Sequence, residues 1–171
     1  MRGGIGDTTR YIPVHRVGVI MGPIMCEVLP AVYQLSGCDT TSKFGTKQTA
    51  LKVSPDHYLS EFGQDPNDIY LNLVEEYLVQ VLKPGTPLKT LNDLRYHLYH
   101  HSKKTLDELP PTSQAAKEHI LRAFYGTHIQ VNCLRQQRLD STVFGCYKEN
   151  DVLLLCNPRV LVPEDLVSNC N

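Results

Sequence analysis

The chain has 171 residues, 42% of them hydrophobic, and its 17 basic side chains nearly balance 18 acidic ones. This length and apolar content predict one folded core and exclude a disordered chain. Because the net charge is near zero, the field of the whole protein would not draw it to nucleic acid or membrane, and any nucleic-acid contact requires a local basic patch.

The six cysteines are widely spaced and form no C-x-x-C pair, which favours a reduced, intracellular protein over a disulfide framework. No membrane contact is expected either. The apolar segment 17–35 contains Pro23, Glu27 and Pro30, whereas a bilayer span needs about 20 clean residues. We therefore expect two buried helices in this segment.

Turn residues divide the first part of the chain into short predicted elements. The glycine-rich residues 1–10 are expected to be disordered or the edge of a fragment. Helices are predicted over 13–21 and 24–35, on either side of a Gly-Pro break, and shorter helical segments over 45–53 and 55–62.

Three longer helices are predicted next. The first is expected to run from Asp65-Pro66 to Leu82, because an aspartate N-cap followed by proline is a strong helix start. A near capping box at Thr90 and Asp93 predicts the second. The expected inward residues of these two helices are Ile69, Leu73, Tyr77, Val81, Leu91, Leu94 and Leu98.

The longest predicted helix begins after Pro110-Pro111-Thr112 and extends to about Gln136, with Gly126 marking a bend. Its expected inward residues are Ala116, Ile120, Ala123, Phe124, Val131 and Leu134. Segments 143–147 and 152–156 are then predicted to form the two strands of a small hairpin.

These elements predict a mainly α, multi-helix domain with a small C-terminal β-hairpin. The expected organisation is an edge at 1–10, a helical domain at 11–140, and a hairpin with an irregular tail at 141–171.

The stretch most suggestive of chemistry follows the second predicted helix, at Gly37-Cys38-Asp39. A carboxylate in a glycine turn is a plausible ligand for Mg²⁺ or Mn²⁺, so Asp39 is the candidate metal residue. The alternative interpretation is that Asp39 caps the next helix. One aspartate is not a metal site, because magnesium chemistry on phosphodiesters usually needs several converging carboxylates.

Hydroxyls, a flexible glycine and two ammonium groups follow within a few residues. Together with a helix N-terminus they favour an anion, and a contact to backbone phosphate is the functional interpretation. An ordinary solvent-exposed helix start is the alternative. The candidate nucleic-acid-binding residues are Thr41, Ser42, Lys43, Gly45, Thr46 and Lys47.

Three histidines form a second candidate cluster, His97, His100 and His101. Zinc accepts imidazoles at spacings of three and four along a helix, but the pattern H-E-x-x-H and paired cysteines are absent here. A surface histidine cluster is the preferred interpretation.

The chain resembles a family of uncharacterised animal proteins, many of them linked to transposable elements. The family carries the motifs RYIPVH, LPA…LTGCDTxS, a Lys-Gly-rich turn and LPPT. The matching residues here are 10–15, 29–42, 45–51 and 109–112.

The same stretch is more distantly similar to the GCD…G-x-K region of flap endonucleases and their XPG-like, PIN-type relatives. The resemblance implies that Asp39 matches a metal-binding aspartate. It also implies that Gly45, Thr46 and Lys47 match a turn that grips DNA backbone. Thr40 stands where those relatives have tyrosine, and the turn has one glycine instead of two.

Those nucleases take their other metal carboxylates from an α/β core before this motif, whereas only Asp7 and Glu27 precede Asp39 here. We therefore expect a fragment of a transposon-derived, flap-endonuclease-like protein that contacts DNA backbone but is catalytically incomplete. Whether it is an enzyme stays open, because the family it resembles implies a metal-dependent nuclease. The alternative is a helical protein-interaction domain with no nucleic-acid role.

Overall fold

The computed structural model describes residues 2–3, 10–11, 13–38, 41–67, 69–134 and 139–155. This part of the chain is mainly helical and ends in a small β-hairpin, which confirms the predicted fold class. The helices are α1 (Val14–Met21), α2 (Pro23–Leu35), α3 (Lys47–Lys52), α4 (Pro55–Leu59), α5 (Leu71–Leu82), α6 (Leu91–His101) and α7 (Ser113–Val131). The strands are β1 (Arg2–Gly3), β2 (Arg10–Tyr11), β3 (Cys146–Glu149) and β4 (Val152–Leu155).

The core lies between α2, α5 and α7, with α4 packed on α2 and α6 packed on α5. Its largest fully buried side chains include Tyr77, Phe124, Leu35, Leu59, Leu78 and Leu91. Tyr77 also ties α5 to α3, because its hydroxyl donates a hydrogen bond of 3.0 Å to the carbonyl of Ala50. Burial raises the pKa of Tyr77, so that hydroxyl keeps its proton.

The predicted start of α5 at Asp65-Pro66 is wrong, because the helix begins at Leu71. The Asp65 carboxylate instead accepts hydrogen bonds from the backbone and side-chain amides of Asn67, at 2.8 and 3.0 Å. A short polar side chain that bonds the backbone two residues ahead stabilises a turn and competes with helix formation. The buried face includes Tyr77 and Val81 as expected, but its other members are Val74, Leu78 and Val79.

The predicted end of α7 is also wrong. The helix stops at Val131, where the side-chain amide of Asn132 donates to the carbonyl of His128 at 3.1 Å. Val131 is 46% exposed and Leu134 is 97% exposed, so neither packs inward. At Gly126, where the sequence predicts a bend, the missing side chain allows a close contact, since a Cβ there would lie 2.7 Å from the Gln34 side chain. The bend itself stays a prediction.

The hairpin is present with shifted ends. Strands β3 and β4 pair antiparallel from Cys146 opposite Leu155 to Glu149 opposite Val152. Both turn residues between them, Asn150 and Asp151, have positive φ, as a tight two-residue hairpin turn requires. Strands β1 and β2 pair antiparallel as well. The predicted division at residues 10 and 140 stays a prediction.

Helix α1 contradicts the expectation of two buried helices, because none of its residues is buried. Val19 and Ile20 are each 83% exposed. Among the described helices none alone is long and apolar enough to cross a bilayer, while α1 and α2 together pass that test by length and composition, with a bend of 106° between them.

Candidate anion-binding site

The turn after α2 closes on itself at Gly37. Its φ is 108°, a value that side chains other than glycine rarely adopt. A Cβ atom at this position would lie 2.6 Å from the Cα of Lys43. The glycine therefore allows the chain to fold back so that Lys43 passes directly beside the end of α2.

Cys38 and Thr41 hold this turn together. They form an antiparallel bridge through two backbone hydrogen bonds of 3.3 Å. The Thr41 hydroxyl donates to the carbonyl of Gln34 at 2.6 Å and accepts from the Cys38 amide at 3.2 Å. The Cys38 thiol donates to Oε1 of Gln34 at 3.0 Å. The hydroxyl of Thr41, a predicted phosphate contact, thus donates its proton inside the turn and positions the backbone.

The predicted metal ligand Asp39 and its neighbour Thr40 lie outside the described residues, so the Mg²⁺ or Mn²⁺ site stays a prediction. Within the described ranges no group of three or more His, Cys, Asp or Glu side chains could hold a metal ion. The described residues around the turn supply two lysines and no carboxylate.

Phe44 anchors the segment that follows the turn. Its ring is 5% exposed and packs on the ring of His119, with 4.7 Å between the centroids. Its amide donates to the carbonyl of Ser36 at 3.1 Å. Because Phe44 is buried while Ser42 and Lys43 are exposed, the core fixes the backbone from which these two polar side chains project.

His119 supports this anchor from α7. Its Nε2 donates to the carbonyl of Leu35 at 2.9 Å, across 84 positions of sequence. Burial lowers the pKa of His119 to about 4, so the ring is neutral at pH 7. Sequence reasoning missed this residue, although its position on α7, three after Ala116 and four before Ala123, places it on the inward face.

Gly45, Thr46 and Lys47 start helix α3. Gly45 has a φ of 62°, and a Cβ there would lie 2.7 Å from Cγ1 of Val81. Thr46 is the N-cap, since its hydroxyl accepts from the amide of Thr49 at 3.1 Å. The Lys47 ammonium lies over the half-exposed ring of Tyr33, 3.7 Å from its centroid, which is a cation–π contact.

These elements surround an open groove of about 410 Å³, here called the turn groove. Lys43 and Lys47 are its charged side chains, and no acidic side chain lines it within the described part of the chain. Neither lysine forms an ion pair with another described residue. The other lining residues are Tyr33, Ser36, Gly37, Cys38, Thr41 and Gly45.

The predicted histidine cluster is divided between two contacts. The rings of His97 and His101 stack with centroids 4.5 Å apart, whereas His100 packs on Tyr96 at 4.3 Å. Nε2 of His97 accepts a hydrogen bond from the Lys83 ammonium at 2.6 Å. The three imidazoles therefore do not converge on one point, and His97 positions a lysine.

No protein-family model matches the chain, and searches of curated proteins and of solved structures returned no match. The resemblances to transposon-linked proteins and to flap endonucleases therefore stay predictions.

Proposed function

We propose that the chain binds the phosphate backbone of nucleic acid in the turn groove, through the ammonium groups of Lys43 and Lys47. The observation that carries this proposal is that Lys43 and Lys47 line one concave surface with no acidic side chain among its described lining residues. Neither lysine forms an ion pair with another described residue. Helix α3 has only six residues, so its dipole adds little and the lysines supply the attraction.

The two lysines of the turn groove would contact phosphate without reading sequence. Ammonium groups bind phosphate as point charges, and contacts of this kind fix position without discriminating bases. We therefore expect binding that is weak, indifferent to sequence and strongly dependent on salt. This fits the resemblance to flap-endonuclease-like proteins of transposon origin, with the chain as a catalytically incomplete relative.

Fluorescence anisotropy with a labelled single-stranded oligonucleotide tests the proposal. The double substitution Lys43→Ala with Lys47→Ala should weaken binding, and it should reduce the slope of log K against log salt by about 1.4, since each single-strand phosphate contact contributes about 0.7. Lys117→Ala, a change at an exposed lysine of α7 outside the groove, is the matched control. Unchanged affinity and slope in the double variant would refute the proposal.

A cleavage assay tests the expectation that the chain is catalytically incomplete. Incubation of a labelled branched DNA with the chain and Mg²⁺ should leave the DNA intact. Magnesium-dependent cleavage that is lost in Asp39→Ala would overturn that part of the proposal and assign Asp39 a metal.

A protein-interaction domain remains the second candidate, and α1 is the observation that favours it. Its apolar side chains Val14, Val19 and Ile20 are 55 to 83% exposed. Sedimentation velocity over a concentration series tests whether this face associates. Self-association that is abolished by Val19→Ser with Ile20→Ser, together with no oligonucleotide binding, would favour this candidate over the first.

A further inference from the structure

A second groove, of about 450 Å³, is also lined by Lys43 and is here called the proline groove. Three lysines line it, Lys43, Lys83 and Lys104. Its remaining surface is mostly apolar and comes from Phe44, Leu82, Leu98, Leu109, Pro110 and Pro111. It therefore combines an apolar floor with cationic side chains, in the size range of ordinary ligand pockets.

The wall of the proline groove is held in place by several contacts. The Arg95 guanidinium donates to the carbonyl of Pro110. The Glu108 carboxylate accepts from the amide and the hydroxyl of Thr105, at 2.8 and 3.1 Å, and these hydrogen bonds lower the pKa of Glu108. Leu109 then donates its amide to Leu106. All of these contacts are internal to the chain, so ligand binding would not have to order the wall.

Lys83 is positioned by its histidine neighbours. Its ammonium donates to Nε2 of His97 at 2.6 Å, and Nδ1 of His101 donates to the carbonyl of His97 at 2.9 Å. The pKa of His97 is lowered by partial burial and by the charges of Lys83 and His101. A neutral His97 accepts the hydrogen bond and leaves the positive charge on Lys83.

The charges of the proline groove are not balanced within it. Glu108 is the one acidic side chain among its described lining residues, against three lysines. The Glu108 carboxylate accepts two hydrogen bonds from Thr105, and the charge of Lys104 also lowers its pKa. None of the three lysines forms an ion pair in the described part of the chain, so one carboxylate stands against three ammonium groups. A ligand that supplies carboxylates around an apolar group would therefore complement this surface.

We propose that the proline groove binds an acidic peptide segment of a partner protein, with one bulky apolar side chain on the floor and flanking carboxylates at the lysines. This goes beyond the proposed nucleic-acid contact and shares only Lys43 with it. A nucleic-acid strand fits less well, because sequence-independent strand binding uses exposed aromatic rings for stacking, and Phe44, the aromatic ring among the described lining residues, is 5% exposed.

The test uses a fluorescein-labelled hexapeptide, Asp-Glu-Leu-Phe-Glu-Asp, and fluorescence anisotropy with the full chain at low ionic strength. Saturable binding is expected. Replacing Leu-Phe by Ser-Ser in the peptide, or its acidic residues by Asn and Gln, should each abolish it. No binding of the parent peptide, or equal binding of the Ser-Ser peptide, would overturn the proposal, since the second result would indicate charge attraction alone.

Substitutions locate the site. Lys83→Gln with Lys104→Gln should weaken peptide binding on the order of tenfold, which corresponds to about 1.4 kcal/mol and lies within the range for two partly exposed charge pairs. Lys117→Gln and Lys47→Gln should leave it unchanged. Equal affinity in the Lys83/Lys104 variant would overturn the proposal, provided that circular dichroism shows native helicity. Peptide-induced NMR shifts at the amides of Leu98 and Leu109 are the second readout, and shifts confined to other residues would also overturn it.

The oligonucleotide assay separates this proposal from the first. The Lys83/Lys104 variant should bind the oligonucleotide with the affinity of the parent chain. The double variant Lys43→Ala with Lys47→Ala should bind it more weakly. If the Lys83/Lys104 variant loses oligonucleotide affinity and the peptide does not compete, the proline groove belongs to the nucleic-acid surface and the peptide proposal fails.

Discussion

The two segments that flank α2 differ in how the core supports them. On the C-terminal side, Thr41 and Phe44 are 8% and 5% exposed, and they hold the turn that presents Lys43. On the N-terminal side, helix α1 buries no residue and exposes Val19 and Ile20 almost completely. An exposed side chain has a fixed position only when buried neighbours hold its backbone. Of these two segments, the turn meets that condition and α1 does not.

The largest expected effect comes from the buried ring of the turn. Phe44→Ala should lower the free energy of unfolding by about 3 to 5 kcal/mol, because it removes a buried ring and leaves a cavity beside His119. Ile20→Ala on α1 should change it by about 0.5 kcal/mol or less, as exposed positions do. Urea denaturation of both variants measures the difference. Similar losses would mean that α1 is buried against the domain in solution.

His119, which packs on the Phe44 ring, should make the free energy of unfolding depend on pH. An unfolded histidine binds a proton near pH 6.5, whereas burial lowers the pKa of His119 to about 4 in the folded chain. The neutral His119 makes its full contribution to the free energy of unfolding above pH 6.5. As the pH falls from 6.5 to 4, about 3 kcal/mol of that free energy should be lost, because the unfolded state binds a proton that the folded state does not.

His119→Gln should flatten the pH dependence between those values, since glutamine retains an amide donor for the Leu35 carbonyl without titrating. His15→Gln on α1, at an exposed position, is the matched control and should leave the pH profile unchanged. Urea denaturation at several pH values gives the comparison. Parallel profiles for the His119 variant and the parent chain would show that this ring already titrates normally in the fold.

The two glycines at the ends of α2 give a smaller contrast. Gly37→Ala should cost about 3 kcal/mol, because the new Cβ would meet the backbone of Lys43 at 2.6 Å in addition to the strained φ. Gly22→Ala should cost only about 1 kcal/mol, since φ there is 79° and no atom lies within 4 Å of the added Cβ. Thermal unfolding of both variants tests this order, and a larger loss at Gly22 would contradict it.

The local signals in the sequence were sufficient for most elements and insufficient for the site. The predicted cap at Thr90 depends on Asp93, three residues away, and the structure contains it. The start at Asp65 failed because the same side chain also stabilises a turn, and the sequence does not decide between the two. The exposure of α1 depends on what packs against it, which the apolar pattern of a helix does not state.

The site was predictable only as a set of exposed candidates. Charge and spacing predict Ser42, Lys43 and Lys47 as candidates, and the structure brings the two lysines, but not Ser42, to the turn groove. Sequence reasoning missed Phe44 and His119, which support the turn, because their contacts join residues distant in sequence. His119 bonds Leu35 across 84 positions, and no local pattern indicates such a contact.

The smallest expected effect concerns how firmly Lys47 is held. Its ammonium lies 3.7 Å from the centroid of Tyr33, and an exposed cation–π contact contributes about 0.5 to 1 kcal/mol. Tyr33→Leu should therefore weaken oligonucleotide binding about two- to fivefold, because Lys47 loses the surface that orients it. Tyr33→Phe keeps the ring and should bind like the parent chain. Equal losses in both variants would mean that the tyrosine hydroxyl contacts the nucleic acid directly, and no loss in either would mean that Lys47 needs no support from α2.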